Sequence, residues 1–226
     1  MNNPNLKFIQ ANLSLVTENM RVVEIISQQV DALDVLILCA ASLRPQERFL
    51  KTQEGSEFTF SLYYLSRYVL CYQLKKLLEK SHEPVIVNVA APGMKGQLYL
   101  DDLQMQKNYN GQQAQFHGSR LNDLLGVHFT GTDNVGKIRY ILFNPMAVRT
   151  PGAAKMSDNN WMMKLYYKFA GKDISEIVDI ICYNIARTKT SGLSAYKLSK
   201  PVNLSMKTFD KVNAVKLHDY TVSLLQ

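Results

Sequence analysis

"VIVNVAA", residues 85–91, decides the fold of this chain. A half-wet antiparallel strand alternates apolar and polar side chains, whereas a strand covered on both faces reads as a continuous β-branched and aliphatic run. Residues 85–91 are of the second kind, and so is "VLILCAA" at 35–41. "FIQAN" (8–12) and "YILFNPM" (140–146) complete a set of four predicted strands. Between them the period turns helical. Val22, Val23, Ile26 and Val30 recur at three- and four-residue steps behind Thr17, a residue able to cap a helix. Residues 58–80 predict a long helix, apolar nearly all round in its first half, and residues 112–129 predict another. Strand and helix alternate throughout, which predicts an α/β fold with a mostly parallel sheet and right-handed crossovers.

The last third is looser. Residues 151–160 read as a Pro/Gly/Asn-rich loop, while "WMMKLYYKFAG" and "ISEIVDIICYNIA" read as helices. "SAYKLSKPVNL" (194–204) predicts a final strand, with Pro201 at a sheet edge or at the strand's end. A closing amphipathic helix carries Phe209, Val212, Leu217, Tyr220 and Leu224.

With 226 residues and 46% hydrophobic content, the chain suits one domain, 1–226, with a single sizeable core. The net charge of +7 is thinly spread, and its densest spot, Lys75, Lys76 and Lys80, alternates with leucines as a solvated helix face does. No nucleic-acid partner is expected. Cys39, Cys71 and Cys182 sit singly in apolar runs without CxxC spacing, which predicts buried thiols in a reducing compartment and no zinc site. No apolar signal segment opens the chain, and Phe58 to Leu74 is too polar to span a bilayer. A cytoplasmic protein without a membrane partner is expected.

One motif is a false friend. "GTDNVGK" (131–137) matches the start of a phosphate-binding P-loop, but Ile138 follows where Ser or Thr belongs, and a strand comes next instead of a helix. A helix-to-strand turn using Gly131 and Gly136 is the better reading. HExxH, GxSxG and GxGxxG are all absent from the sequence, and the four histidines (His82, His117, His128, His218) are scattered. No metal ligands are predicted.

Six segments in order carry a resemblance: "KFIQANLSL", "LDVLILCAA" (similar to a family "LDVLINNAG"), the helix at 58–80, "VIVNVAA" (similar to "IVNVSS"), "LDDLQMQKNYNGQQAQFHGSRLNDLL", and "NPMAVRT" at 144–150 (similar to "HPGxVxT"). Together they resemble the short-chain dehydrogenases/reductases, nearest the retinol-dehydrogenase-like branch, from about residue 7 to the C-terminus. The resemblance implies a Rossmann-like three-layer sandwich whose first βαβ unit, with its glycine-rich turn, would precede residue 1. This chain is therefore expected to be a fragment of a longer reading frame; the alternative is that strand 7–13 covers the open edge of strand 35–41. The resemblance further implies an NAD(P)-dependent oxidoreductase acting on a small carbonyl or alcohol.

The departures are as informative as the matches. The family's Tyr-x-x-x-Lys pair falls on Phe116 and Arg120, its catalytic Ser on Ala90 or Ala91, and its helix Asn on Tyr63. Phenylalanine has no proton to give, and arginine keeps a charge without replicating lysine. The alternative reading is accordingly a catalytically inactive pseudoenzyme serving as a binding or dimerisation module. Asn12, Cys39, Ala40, Arg120, Pro145, Val148 and Thr150 fall on positions the resemblance assigns to contacts with NAD or NADP. His117 reads as a half-exposed helix residue. As a replacement acid it would have to share the face of Phe116, from which it is turned about 100°. Tyr63 supplies the missing phenol only if its ring reaches across the cleft. Asp101 and Asp102 read as loop solvating groups. The apolar surplus on 58–80 (Leu62, Tyr64, Leu65, Tyr68, Val69, Tyr72) predicts a homodimer through helices 58–80 and 112–129, or else contact with the C-terminal helices.

Overall fold

The computed structural model describes residues 5–42, 44–131, 136–152 and 161–226. Residues 153–160 of the predicted loop and 132–135 of the P-loop-like segment lie outside the described residues. Strands β1 (Val35–Leu38), β2 (Val85–Val89), β3 (Arg139–Asn144), β4 (Gly192–Lys197) and β5 (Lys200–Pro201) form one sheet in chain order. The first four run parallel and β5 pairs antiparallel with β4. Val35 stands opposite Val85, Val85 opposite Arg139, and Arg139 opposite Gly192, so the parallel strands start in line and their carboxyl ends open on one side.

Helices flank both faces. These are α1 (Val16–Gln29), α2 (Phe58–Phe60), α3 (Ser66–Gln73), α4 (Lys75–Lys80), α5 (Gly111–Gly131), α6 (Trp161–Ala170), α7 (Ile174–Arg187) and α8 (Lys211–Leu224). A π-helical turn, Ser61–Leu65, joins α2 to α3. Alternate side chains of a strand point to opposite faces, and two apolar cores result. Ile86, Tyr140 and Leu142 join α3, α5 and α8 on one side, while Val85, Val87, Ile141 and Phe143 meet Ile177 of α7 on the other. The continuous run at 85–89 is what a strand serving both cores requires.

Several expectations need correction. Residues 8–12 form no strand, and Phe8 is exposed. Among the described residues no backbone hydrogen bond joins this segment to β1. A hollow of about 240 Å3 separates them, lined by Ile9, Ala11 and Leu13 on one side and residues 36–40 on the other. Thr17 does not cap α1. The carboxylate of Glu54 accepts from the amides of Val16 and Thr17 and from the Thr17 hydroxyl, placing an anion at the helix N-terminus. The predicted strand at 194–204 divides into β4 and the short β5, with Leu198 at φ +53° in the turn. Only Cys71 is buried; Cys39 and Cys182 are exposed, and all three are free. On α8 the inner face is Ala214, Leu217 and Thr221, whereas Val212 and Leu224 are exposed.

The helices expected to form a homodimer face are covered by the chain itself. Tyr64 Oη bonds Thr221 Oγ1 at 2.7 Å and Tyr68 Oη meets His218 Nδ1 at 3.0 Å, both groups of α8. Tyr72 Oη bonds His128 Nδ1 at 2.7 Å, and the His128 and His218 rings stack at 3.8 Å. Leu65 and Tyr68 are buried in this contact. The apolar surplus therefore belongs to the molecule's own core.

Candidate functional site

In parallel α/β sheets, ligands bind beyond the carboxyl ends of the strands. At the carboxyl ends of β1 and β2 a cleft of about 180 Å3 is lined by Ala41, Ser42, Thr59, Tyr63, Met94, Gln115, Phe116 and Ser119. Phe116 and Tyr63, read from distant parts of the sequence, meet here. The Tyr63 ring crosses to α5, and its Oη lies 3.2 Å from Ser119 Oγ. Ser119 Oγ in turn donates to the Gln115 carbonyl, so the hydrogen shared with Tyr63 comes from the phenol.

The approach depends on two local features. Tyr63 sits in the π-helical turn, an irregularity that frees backbone groups, and its carbonyl accepts from Asn122 Nδ2 at 2.8 Å. On α5 the facing residue is Gly118, where an added Cβ would stand 2.7 Å from Tyr63 Cδ1. The glycine lets the ring lie against the helix.

Beneath the cleft runs a buried polar network that the sequence reading missed. Arg67 donates to the carbonyls of Ala40 and Val89, at 2.9 and 2.8 Å, and to Asn88 Oδ1. It therefore ties together the carboxyl ends of β1 and β2. Asn88 Nδ2 donates to Asn122 Oδ1 at 2.9 Å and Tyr140 Oη at 2.8 Å. The Arg67 guanidinium also lies over the Tyr63 ring, 4.5 Å from its centroid. The signal was present as a cation and an amide inside otherwise apolar runs, since such groups are buried only when hydrogen-bonded.

The remaining predicted site residues separate. Arg120 shares the α5 face of Phe116, but its guanidinium reaches the Ala91 carbonyl at 2.8 Å, the Met94 carbonyl, and Asp123 Oδ2 at 3.0 Å. Asp123 also takes the Gly93 amide and the Thr208 hydroxyl. Burial pushes the Asp123 carboxyl up to about 7, with Arg120 pulling the other way. Arg120 faces a second hollow of about 420 Å3, beside Lys95 and Lys207. Ala90 is buried with its amide on the Phe143 carbonyl; Ala91 offers only its carbonyl.

His117 is a correction twice over. It is only 3% exposed rather than half-exposed, and it points away from the cleft. Nε2 meets the Leu103 carbonyl at 3.1 Å, the Tyr99 amide approaches Nδ1 at 3.4 Å, and burial pulls the imidazole down to about 4. Asn12 Oδ1 is occupied by the amide and hydroxyl of Ser14. Cys39 and Ala40 border the 240 Å3 hollow. Pro145, Val148 and Thr150 follow β3 and do not line the cleft, and Val148 instead bridges to Lys172. Asp102 caps a turn through the amides of Gln106 and Lys107.

These positions do not fit a whole nicotinamide dinucleotide. The side chain expected on the ribose, Arg120, is committed to two carbonyls and a carboxylate. No helix N-terminus among the described residues follows a glycine-rich turn able to receive a pyrophosphate. Among the described residues no cluster of metal-ligating side chains occurs, and no helix is long and apolar enough to cross a membrane.

No protein-family model matches the chain. An NmrA-like family domain-containing oxidoreductase, notO of Aspergillus sp. (strain MF297-2), is 27% identical over 150 residues, which are 65% of this chain and 44% of that protein. The match thus spans less than half of the relative's length. Among solved structures, the 3-alpha-hydroxysteroid dehydrogenase of Pseudomonas sp. B-0831, complexed with NADH, superposes with a TM-score of 0.62 at 16% identity. That match covers 85% of this chain and 82% of the dehydrogenase. A short-chain dehydrogenase of Salmonella enterica serovar Typhi gives 0.57 at 11% identity, with 85% and 74% covered. RhlG of Pseudomonas aeruginosa, in an NADP active-site complex, gives 0.54 at 15% identity, with 84% and 74% covered. The chain has the Rossmann-like fold of the short-chain dehydrogenases.

Proposed function

We propose that this chain is the substrate-side part of an NAD(P)-dependent oxidoreductase of the short-chain dehydrogenase/reductase type, acting on a small carbonyl or alcohol. The observation that carries the reading is the convergence of Phe116, Tyr63 and Ser119 on one cleft at the carboxyl ends of β1 and β2. The usual phenol is lost at Phe116, but a phenol from the helix opposite reaches the same space. In this reading Tyr63 Oη turns from Ser119 to the substrate oxygen and gives it a proton as that oxygen becomes an alkoxide. Arg67 places a positive charge over the ring that carries the donor. Positioned proton transfer of this kind contributes about 10²- to 10⁴-fold in rate.

A second reading, a scaffold without turnover, is favoured by Arg120, whose bonds to Ala91, Met94 and Asp123 are those of a structural clamp. The two readings part on one experiment: NAD(P)H-linked reduction of a panel of aldehydes and ketones by the complete gene product containing these residues. Turnover of any panel member above the protein-free rate is expected. A protein that binds dinucleotide but turns over nothing would leave the scaffold reading.

A further inference from the structure

Helix α6 leaves an apolar arc open to solvent. At 100° per residue Trp161, Leu165, Phe169, Met162 and Tyr166 fall within an arc of about 140°. A helix of a globular protein ordinarily presses such an arc on the core. Here all five side chains are exposed, Trp161 at 73% and Phe169 at 77%, and none belongs to either apolar core. The helix is nevertheless held in place at its end. Gly171 bonds back to the Tyr167 carbonyl, the Lys172 amide donates to Ala147, and Lys172 accepts from the Arg149 amide. The next helix continues the surface with exposed Ile174 and Val178.

Charge indicates what covers it. Residues 161–170 contain two lysines and no acidic residue, in a chain of net charge +7. Lys168 stands at the border of the apolar arc, its ammonium 5.9 Å from the Phe169 ring. Of the acidic residues that follow, the first two are engaged, Asp173 with Arg149 and Glu176 with Lys172, while Asp179 is exposed one turn further on. Tryptophan, tyrosine and phenylalanine on one face with lysine at its margin is the composition of a helix that lies flat in a bilayer interface. The expectation of no membrane partner rested on the lack of a spanning stretch, which says nothing of such a helix.

We infer that α6 is an interfacial docking helix that seats its Trp161–Leu165–Phe169 face in an anionic lipid surface. Trp161 is the chain's only tryptophan, so its emission reports on this face alone. The experiment adds vesicles of phosphatidylcholine, with or without about one third phosphatidylglycerol, to the full chain, and follows tryptophan emission and co-sedimentation. A blue shift and co-sedimentation with the anionic vesicles are expected, with binding to pure phosphatidylcholine weaker by roughly tenfold or more. Phe169→Glu and Leu165→Glu should each abolish binding while leaving far-UV circular dichroism and the melting temperature unchanged, because neither side chain packs on the core. Lys168→Glu should weaken binding to the anionic vesicles only. Unshifted emission with anionic vesicles, or co-sedimentation surviving Phe169→Glu, overturns the inference. So does a concentration-dependent blue shift without lipid, which would assign the face to a second copy.

Discussion

His117 is the residue whose burial has the clearest measurable consequence. In the folded protein its imidazole is held at about 4, against an ordinary value of 6.5, because it is shut away from water between the Leu103 carbonyl and the Tyr99 amide. A depressed folded value means that the unfolded chain takes up the proton first. Stability from the neutral ring is therefore complete above pH 6.5 and is lost as pH falls towards 4. The full loss is on the order of 3 kcal/mol, of which about 2 kcal/mol is gone by pH 5. Asp123 works against this. Its carboxyl is raised to about 7 by burial, so its contribution grows as pH falls from 7 towards 4. The wild-type pH profile alone would mix the two groups.

Comparison with His117→Gln separates them, because glutamine can donate to Leu103 and accept from Tyr99 without titrating. Urea melts of both proteins at pH 7.5 and pH 5 give four stabilities. The wild type should lose about 2 kcal/mol relative to His117→Gln between the two pH values. A difference that stays constant across the window would refute the burial argument, and with it the reason for rejecting His117 as an acid in the cleft.

Three further outcomes follow from the same structure. Glu54→Ala removes the group that satisfies the first amides of α1 from 38 residues away, and should cost about 1 kcal/mol of stability in a denaturant melt. Tyr68→Glu drives a carboxylate into the contact between α3 and α8, and should lower stability by several kcal/mol instead of dissociating a dimer. A folded variant with an unchanged melting temperature would move that ring out of the core. Titration of the 226-residue chain with NADH or NADPH, read by nucleotide fluorescence, should show no saturation below about 1 mM. Micromolar binding would mean that Arg120 releases its clamp for the ribose.

The sheet was legible because burial on both faces is written directly into composition. "VIVNVAA" needed no tertiary information to be recognised as a parallel strand covered on both faces, whereas "VLILCAA" gives a parallel strand whose expected double cover is not met, because β1 lies at the sheet edge with Val35 and Ile37 exposed. Residues 8–12 misled for a physical reason. Their apolar side chains do line β1's flank, yet a strand exists only when its backbone finds a partner, and here a hollow intervenes. The site was legible in register and illegible in direction. Spacing placed Phe116 and Arg120 on one face of α5 correctly. It could not show that Asp123 and the 91–94 carbonyls would draw the guanidinium away, nor that Leu103 would take His117. Arg67 and Asn88 were visible only as interruptions, because their partners lie on β1, β2, β3 and α5, far apart in the chain.

The account stands most directly on Tyr63 as the group that replaces the phenol missing at Phe116. The deciding measurement is steady-state carbonyl reduction by the complete gene product, wild type against Tyr63→Phe, with kcat and KM resolved. The account expects kcat to fall by about 10²-fold or more while KM changes little. A Tyr63→Phe protein that turns over as fast as the wild type would contradict it, as would a wild type that binds dinucleotide and reduces nothing.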